Sequence, residues 1–193
     1  MEDMRAGLPI LTFADAASFD NWLEAHGLSA AGVWLKFARK TAPASTLAKS
    51  EAIDVALCHG WIDGQLDRYD EHFWLIRFTA RKAASRWSQI NCARVRALVA
   101  AGRMRPAGLA AVVSAKADGR WAGAYAPAST AEPPPDLVAA LRASPKAAAF
   151  FATLKGANRY AILYRINRVK KAETRARKIV QYVAMLERGE TIH

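Results

Sequence analysis

Cysteine is scarce in this sequence: Cys58 and Cys92 are the only two in 193 residues. They could close one bridge at most and show no CxxC spacing, so a disulfide-stapled framework is excluded and a cysteine-based zinc site has no motif. The expectation is two reduced core residues in a cytoplasmic protein. Long apolar runs are missing too. No uncharged stretch approaches the roughly 18 residues that suggest a membrane-spanning helix. The start, MEDMRAGLPILTFAD, sets Glu2 and Asp3 where a secretory signal has its basic region, and its short apolar run contains Pro9. GxSxG, P-loop and GxGxxG motifs are absent, and His26, His59, His72 and His193 have no Ser or Cys partner in a known motif. Enzymatic chemistry and a bound cofactor therefore lack a sequence signal.

Acidic residues are few in all but the first part of the chain. Residues 1–76 carry six basic and eleven acidic side chains, a net of −5, whereas residues 77–120 carry ten basic and one acidic, a net of +9. Residues 136–193 add a net of +8, and the whole chain stands at +11. A division this sharp near Arg77 implies an anionic partner, or a match between the acidic first part and the basic remainder. Arginine-rich, alanine-rich composition is also what genomic codon bias produces.

The pattern along the chain is α+β. FADAASFDNWLEAHG reads as a helix that Asp15 or Ser18 caps and Gly27 ends. GVWLKFAR alternates, with Val33, Leu35 and Phe37 on one side and Trp34 and Lys36 on the other, the sign of a half-buried strand. SEAIDVALCHG reads as a helix stopped by Gly60. Trp61–Leu66 and His72–Phe78 then form two strands about a polar turn. The expected layer is a small antiparallel-type sheet of about three strands packed with helices. Helical spacing resumes at Ser85 and continues to about Ala101. Pro106 suits the first turn of the next helix. Three prolines, 133–135, favour an extended, semi-rigid linker. Beyond it only helical patterns remain. The expected domains are 1–123, α+β with trailing helices; 124–136, a linker; and 137–193, all helical.

RFTARKAASRWSQIN, 77–91, is the leading candidate site. With Ser85 as the helix cap, the N–H groups that follow would favour an anion. Arg81, Lys82 and Arg86 add charge and forked donors, and Trp87 offers a flat face. Asp63, Arg77 and Asn91 complete the candidate ligand-binding set. The competing reading is structural, with Asp63, Asp67 or Asp70 pairing with these arginines. Asp63 in WIDG reads as a general base or, more simply, as part of a bulge with Gly64. A small-molecule enzyme near Asp63 and Trp87 is a further reading. Cys58, His59, Asp63, Asp67, Asp70 and His72 share one stretch without a recognised ligand spacing, so no metal is expected. Arg165, Arg168, Lys170, Lys171, Arg175, Arg177 and Lys178 give the C-terminal helices a surface that nucleic acid could use, though a charge run is usually a solvated face.

ALCHGWIDG (56–64), RFTARKAASRWSQIN (77–91), GRMRPAGL (102–109), AKADGRW (115–121) and KKAETRARKIVQYVAMLERGE (170–190) resemble the YdeI/OmpD-associated, or bacteriocin-protection, family. The resemblance runs from about Phe13 to His193. It implies a non-enzymatic role in bacterial resistance to cationic antimicrobial peptides and bacteriocins, with a membrane-stress partner protein such as an outer-membrane porin. No catalytic residues come with it. A periplasmic placement has been suggested for the family, and the expected lack of a signal in this sequence runs against it. Ala80, Ala83 and Ala172 stand where the family commonly has proline.

Overall fold

Val33, Leu35 and Phe37 are fully buried and set the centre of a sheet. The structure is a computed structural model that describes residues 3–193; Glu2, one of the two acids noted at the start of the sequence, lies outside the described residues. The strands are β1 (Met4–Arg5), β2 (Leu8–Leu11), β3 (Val33–Ala38), β4 (Trp61–Arg68) and β5 (Phe73–Ala80). They form one five-stranded sheet in the order β1-β2-β3-β5-β4. The expectation of about three antiparallel strands is thereby corrected. β1 and β2 are additional, and β2 runs parallel to β3, with Ile10 opposite Trp34 and Leu11 opposite Leu35. These two strands are too short for alternation to register, and Pro9 weakens the strand signal of β2. The other three pairings, β1 with β2, β3 with β5 and β4 with β5, are antiparallel.

The chain divides into two units, Met1–Ala124 and Tyr125–His193. In the first, α1 (Ala16–His26) and α2 (Lys49–Cys58) lie on one face of the sheet. Asp15 caps α1, its carboxylate accepting the Ser18 N–H at 2.8 Å. Phe19 and Leu23 of α1, Ala52, Val55 and Ala56 of α2, and Val33, Leu35, Phe37, Trp61, Ile76 and Phe78 of the strands make one core. The reverse face of β3 is closed as well: Trp34 is 2% exposed and donates its indole N–H to the Arg5 carbonyl at 3.0 Å.

α2 is buried on more than one side because a second pair of helices, α3 (Gln89–Ala100) and α4 (Pro106–Ala117), packs against it. Leu57 and Cys58 join Trp87, Cys92, Val95, Leu98, Val112 and Ala115 in a second core. Burial there raises the pKa of both thiols. An ion pair, Arg94 to Asp54 at 2.6 Å, ties α3 to α2. The close approach of α2 and α4 explains two glycines. A β-carbon at Gly108 would stand 2.1 Å from the Cys58 carbonyl oxygen, and one at Gly60, where φ is +74°, 2.9 Å from that of Ala107.

The second unit contains α5 (Pro135–Arg142), α6 (Pro145–Thr153), α7 (Gly156–Asn167) and α8 (Ala172–Glu187). Prolines open α5 and α6, as their fixed φ and missing N–H favour. The core is apolar and helix-derived: Leu137, Leu141, Phe151, Ile162, Leu163, Ile166, Ile179, Tyr182 and Leu186. Arg175, near the start of α8, forks onto Asp136, with Nη2 at 2.9 Å from Oδ1, and donates through Nη1 to the Ile166 carbonyl at 3.0 Å. One side chain thus joins α8 to the start of α5 and the end of α7.

Candidate functional site

The basic corner forms where β5 ends and the chain turns toward α3. Arg81 begins it, its backbone N–H bonded to the Gly60 carbonyl at 2.9 Å. Its guanidinium lies 3.6 Å from the centre of the Trp87 ring and donates through Nη1 to the Arg86 carbonyl at 3.2 Å. Such a stack holds a cation electrostatically and by contact. The Trp87 ring also meets that of Trp121, with centroids 4.9 Å apart. Trp87 is 1% exposed. The flat face expected to meet a ligand is therefore closed, and Trp87 acts as the support on which Arg81 rests. Its indole nitrogen is buried without a hydrogen-bond partner among the described residues.

The helix starts later than its sequence suggests. Ser88 is the N-cap of α3, accepting the Asn91 N–H at 3.1 Å. Ser85 instead closes a local turn: its hydroxyl accepts the Lys82 N–H at 3.0 Å, and its own N–H donates to the Lys82 carbonyl at 2.9 Å. Both serines are competent caps. Burial of Trp87 in the second core requires an extended segment before the first helical turn, and this selects Ser88. The N–H groups of Arg86 and Trp87 are consequently not a helix terminus facing an anion.

Cationic chemistry at the corner comes from side chains, one of which the sequence did not single out. Arg120 is fixed at three points: Nε to Asp118 at 2.7 Å, Nη1 to the Ser85 carbonyl at 3.0 Å and Nη2 to the Ser114 hydroxyl at 3.1 Å. With Arg81, Lys82, Ala83, Ala111 and Ser114 it lines a cavity of about 210 Å³. The AKADGRW motif holds this arginine and its near partner Asp118, but nothing in the motif betrays the grip on the Ser85 carbonyl 35 residues away.

The remaining members of the expected set lie elsewhere. Asp63 is opposite Phe78 in register, just before a bulge that includes Gly64. Arg77 is opposite Trp34, and its guanidinium is 6.0 Å from that ring. Alternation puts adjacent Arg77 and Phe78 on opposite faces of the sheet, and Asp63 with Phe78. No ion pair or hydrogen bond joins the Asp63 carboxylate to another described residue, so its expected pairing with Arg77 or Arg81 is corrected and the bulge reading stands. Asp67 pairs with Arg5 at 3.0 Å, and Asp70 accepts the His72 and Phe73 N–H groups at 2.7 Å. The expected carboxylate network with these arginines is not formed by Asp63, Asp67 or Asp70. Asn91 contributes its backbone N–H to the Ser88 cap.

In the second unit, Arg165 and Arg168 end α7, Lys170 and Lys171 occupy the turn, and Arg175, Arg177 and Lys178 lie on α8. Arg175 is a structural residue, as its bonds to Asp136 and Ile166 show. Arg168 lies 5.9 Å from the Tyr164 ring and Lys178 5.6 Å from that of Tyr182.

A further polar cluster escaped the sequence because its members are 39 and 85 residues from Asp20. The Asp20 carboxylate meets His59 Nε2 at 2.8 Å and Arg105 Nη2 at 2.6 Å. Burial pushes the Asp20 carboxyl up, but the bonds from His59 and Arg105 outweigh it and leave the pKa below the usual value. A cavity of about 330 Å³ lies beside Asp20, Cys58, Arg103 and Arg105, and another of about 270 Å³ beside Leu23, His59, Arg105 and Pro106. No group of three or more His, Cys, Asp or Glu among the described residues could hold a metal ion.

Residues 11–111 match the family model described as Domain of unknown function (DUF8412). The chain belongs to this DUF8412 family. Residues 130–189 match a second model, Bacteriocin-protection, YdeI or OmpD-Associated. The resemblance to the YdeI/OmpD-associated family is thus matched in the C-terminal segment, while the DUF8412 match covers most of the sheet and the first three helices. No curated protein and no solved structure matches this DUF8412 chain. Among the described residues no helix is long and apolar enough to cross a membrane.

Proposed function

We propose that this chain is a non-enzymatic binding protein of the stress-resistance kind that its C-terminal match suggests, and that its N-terminal unit holds a small phosphate- or carboxylate-bearing anion at the basic corner. The observation that carries the reading is the cavity bounded by Arg81, Lys82 and Arg120, with Arg81 laid on Trp87 and Arg120 anchored at three points. Guanidinium groups fixed in this way lose little freedom on meeting an anion, and their charge is held in place for it. Direct capture of cationic peptides is opposed by the +11 charge of the chain, so protection would work through the acidic first part or through a partner protein.

The test is thermal unfolding in phosphate, with chloride at matched ionic strength as control. Phosphate raises the midpoint of the wild type, and Lys82→Gln abolishes the rise while leaving the midpoint in chloride unchanged. The same phosphate response in Lys82→Gln, or none in the wild type, overturns the assignment. Nucleic acid on the C-terminal helices is the alternative reading. It is weakened because Arg175 is engaged within the fold.

A further inference from the structure

The largest of the cavities described lies apart from the basic corner, in a part of the chain where acids outnumber bases. About 430 Å³ in volume, it sits under the loop that joins β3 to α2. That is within the range of small-ligand sites, about 300–1,000 Å³. Its aromatic wall is Phe37 and Trp74, paired across β3 and β5 with centroids 5.1 Å apart. Phe37 is buried in the first core, while Trp74 is only half-buried.

Three cations, Arg39, Lys40 and Lys49, line the same cavity, and no carboxylate does. None of the three forms an ion pair with a described residue. Lys49 Nζ lies 5.8 Å from the centre of the Trp74 ring. The nearby acid Glu51 is turned to the Ala48 N–H at 3.3 Å. The loop is fastened at both ends. Arg39 N–H donates to the His72 carbonyl at 2.7 Å, Ala38 N–H to the Thr46 hydroxyl at 2.8 Å, and Leu47 N–H to the Phe13 carbonyl at 2.8 Å. The cavity is therefore shaped by two backbone bonds and the Thr46 hydroxyl.

We propose that this cavity binds a ligand with one planar ring and one phosphate ester, the chemistry of a mononucleotide. An indole face accepts any flat ring by stacking. Three cations that form no ion pair with the described residues match a dianionic phosphate, with Arg39 offering a fork and the lysines point charges. Either half alone gives a weak site; joined, they favour a molecule that carries both. The site is independent of the corner proposed above, from which it differs in requiring the ring.

Calorimetric titration of the full chain with AMP at low ionic strength tests it, with adenosine and inorganic phosphate as the two halves. AMP binds, and each half binds at least tenfold more weakly. The triple substitution Arg39→Gln, Lys40→Gln, Lys49→Gln lowers AMP affinity at least tenfold without changing the unfolding midpoint. Trp74→Phe keeps part of the affinity, and Lys82→Gln keeps all of it. AMP affinity unchanged in the triple variant overturns the proposal, as does absence of AMP binding by the wild type. Loss in Lys82→Gln overturns it too, by moving the ligand to the corner.

Discussion

His59 Nε2 lies 2.8 Å from the Asp20 carboxylate, which also receives Arg105 at 2.6 Å. One acid thereby connects α1, the end of α2 and the entry to α4. The Asp20 pKa is lowered in the folded state, because the hydrogen bonds from His59 and Arg105 outweigh the opposing effect of burial. A depressed carboxyl contributes stability that is present above its unfolded pKa, about 3.9, and is lost as pH falls through the folded value. Wild type should therefore lose stability below about pH 4, and Asp20→Asn should remove that component while costing about 1–2 kcal/mol near neutrality. Urea unfolding from pH 2 to 7 measures both. An unchanged acid limb in the variant would show that Asp20 is not the titrating group.

Ser88 and Ser85 separate two kinds of capping. Loss of the α3 cap in Ser88→Ala should cost about 1 kcal/mol. Ser85→Ala removes a turn bond in a solvent-accessible segment and should cost about half as much or less. Denaturant midpoints of the two variants at equal m-value give the ranking. A larger loss in Ser85→Ala would restore the earlier helix start.

Elements with a clean period were legible in the sequence: β3 by alternation, α2 by its spacing and Gly60, and the C-terminal helices by their helical spacing, although Pro135, read as linker, is the first residue of α5. The β4–β5 hairpin followed from its polar turn. β1 and β2 were not legible, since strands of two and four residues give alternation little room and Pro9 lies in one of them. The corner was located by its arginines, but its detailed chemistry was not. Ser85 and Ser88 are equivalent caps locally, and only the burial of Trp87 distinguishes them. Arg120 and Asp20 were invisible for a common reason. Asp20 acts on partners far away in sequence, Arg120 reaches the Ser85 carbonyl 35 residues back as well as its near neighbours Asp118 and Ser114, and a single charged residue in a helix or loop has no period to announce it.

Gly108 is the tightest backbone approach between α2 and α4. A β-carbon there meets the Cys58 carbonyl at 2.1 Å, and backbone cannot swing aside as a side chain does. Gly108→Ala should therefore destabilise by about 1–3 kcal/mol, the usual range for overpacking, despite alanine's better helix propensity. Gly102→Ala shows the other cost of replacing a glycine, backbone strain without a clash: φ is +66° and nothing stands within 4 Å of the added carbon. If Gly108→Ala is neutral by thermal unfolding, the helices separate more readily than the geometry implies.

Arg175 distinguishes a structural cation from a surface one among the C-terminal basic residues. Its fork on Asp136 and its bond to the Ile166 carbonyl should make Arg175→Gln cost about 1–3 kcal/mol, since charged hydrogen bonds at a half-buried site are lost together. Arg175→Lys should recover only part, because an ammonium cannot reproduce the fork. Arg177→Gln is the surface comparison and should change stability by less than about 0.5 kcal/mol. Chemical unfolding of the three variants measures the costs. DNA retention across a salt series then addresses the alternative function. If these helices serve nucleic acid, Arg177→Gln with Lys170→Gln and Lys171→Gln lowers the salt slope by about one for each phosphate that is no longer neutralised. A slope unchanged in that stable triple variant, or no retention by the wild type at low salt, leaves the basic residues as a solvated face with Arg175 as the brace beneath it.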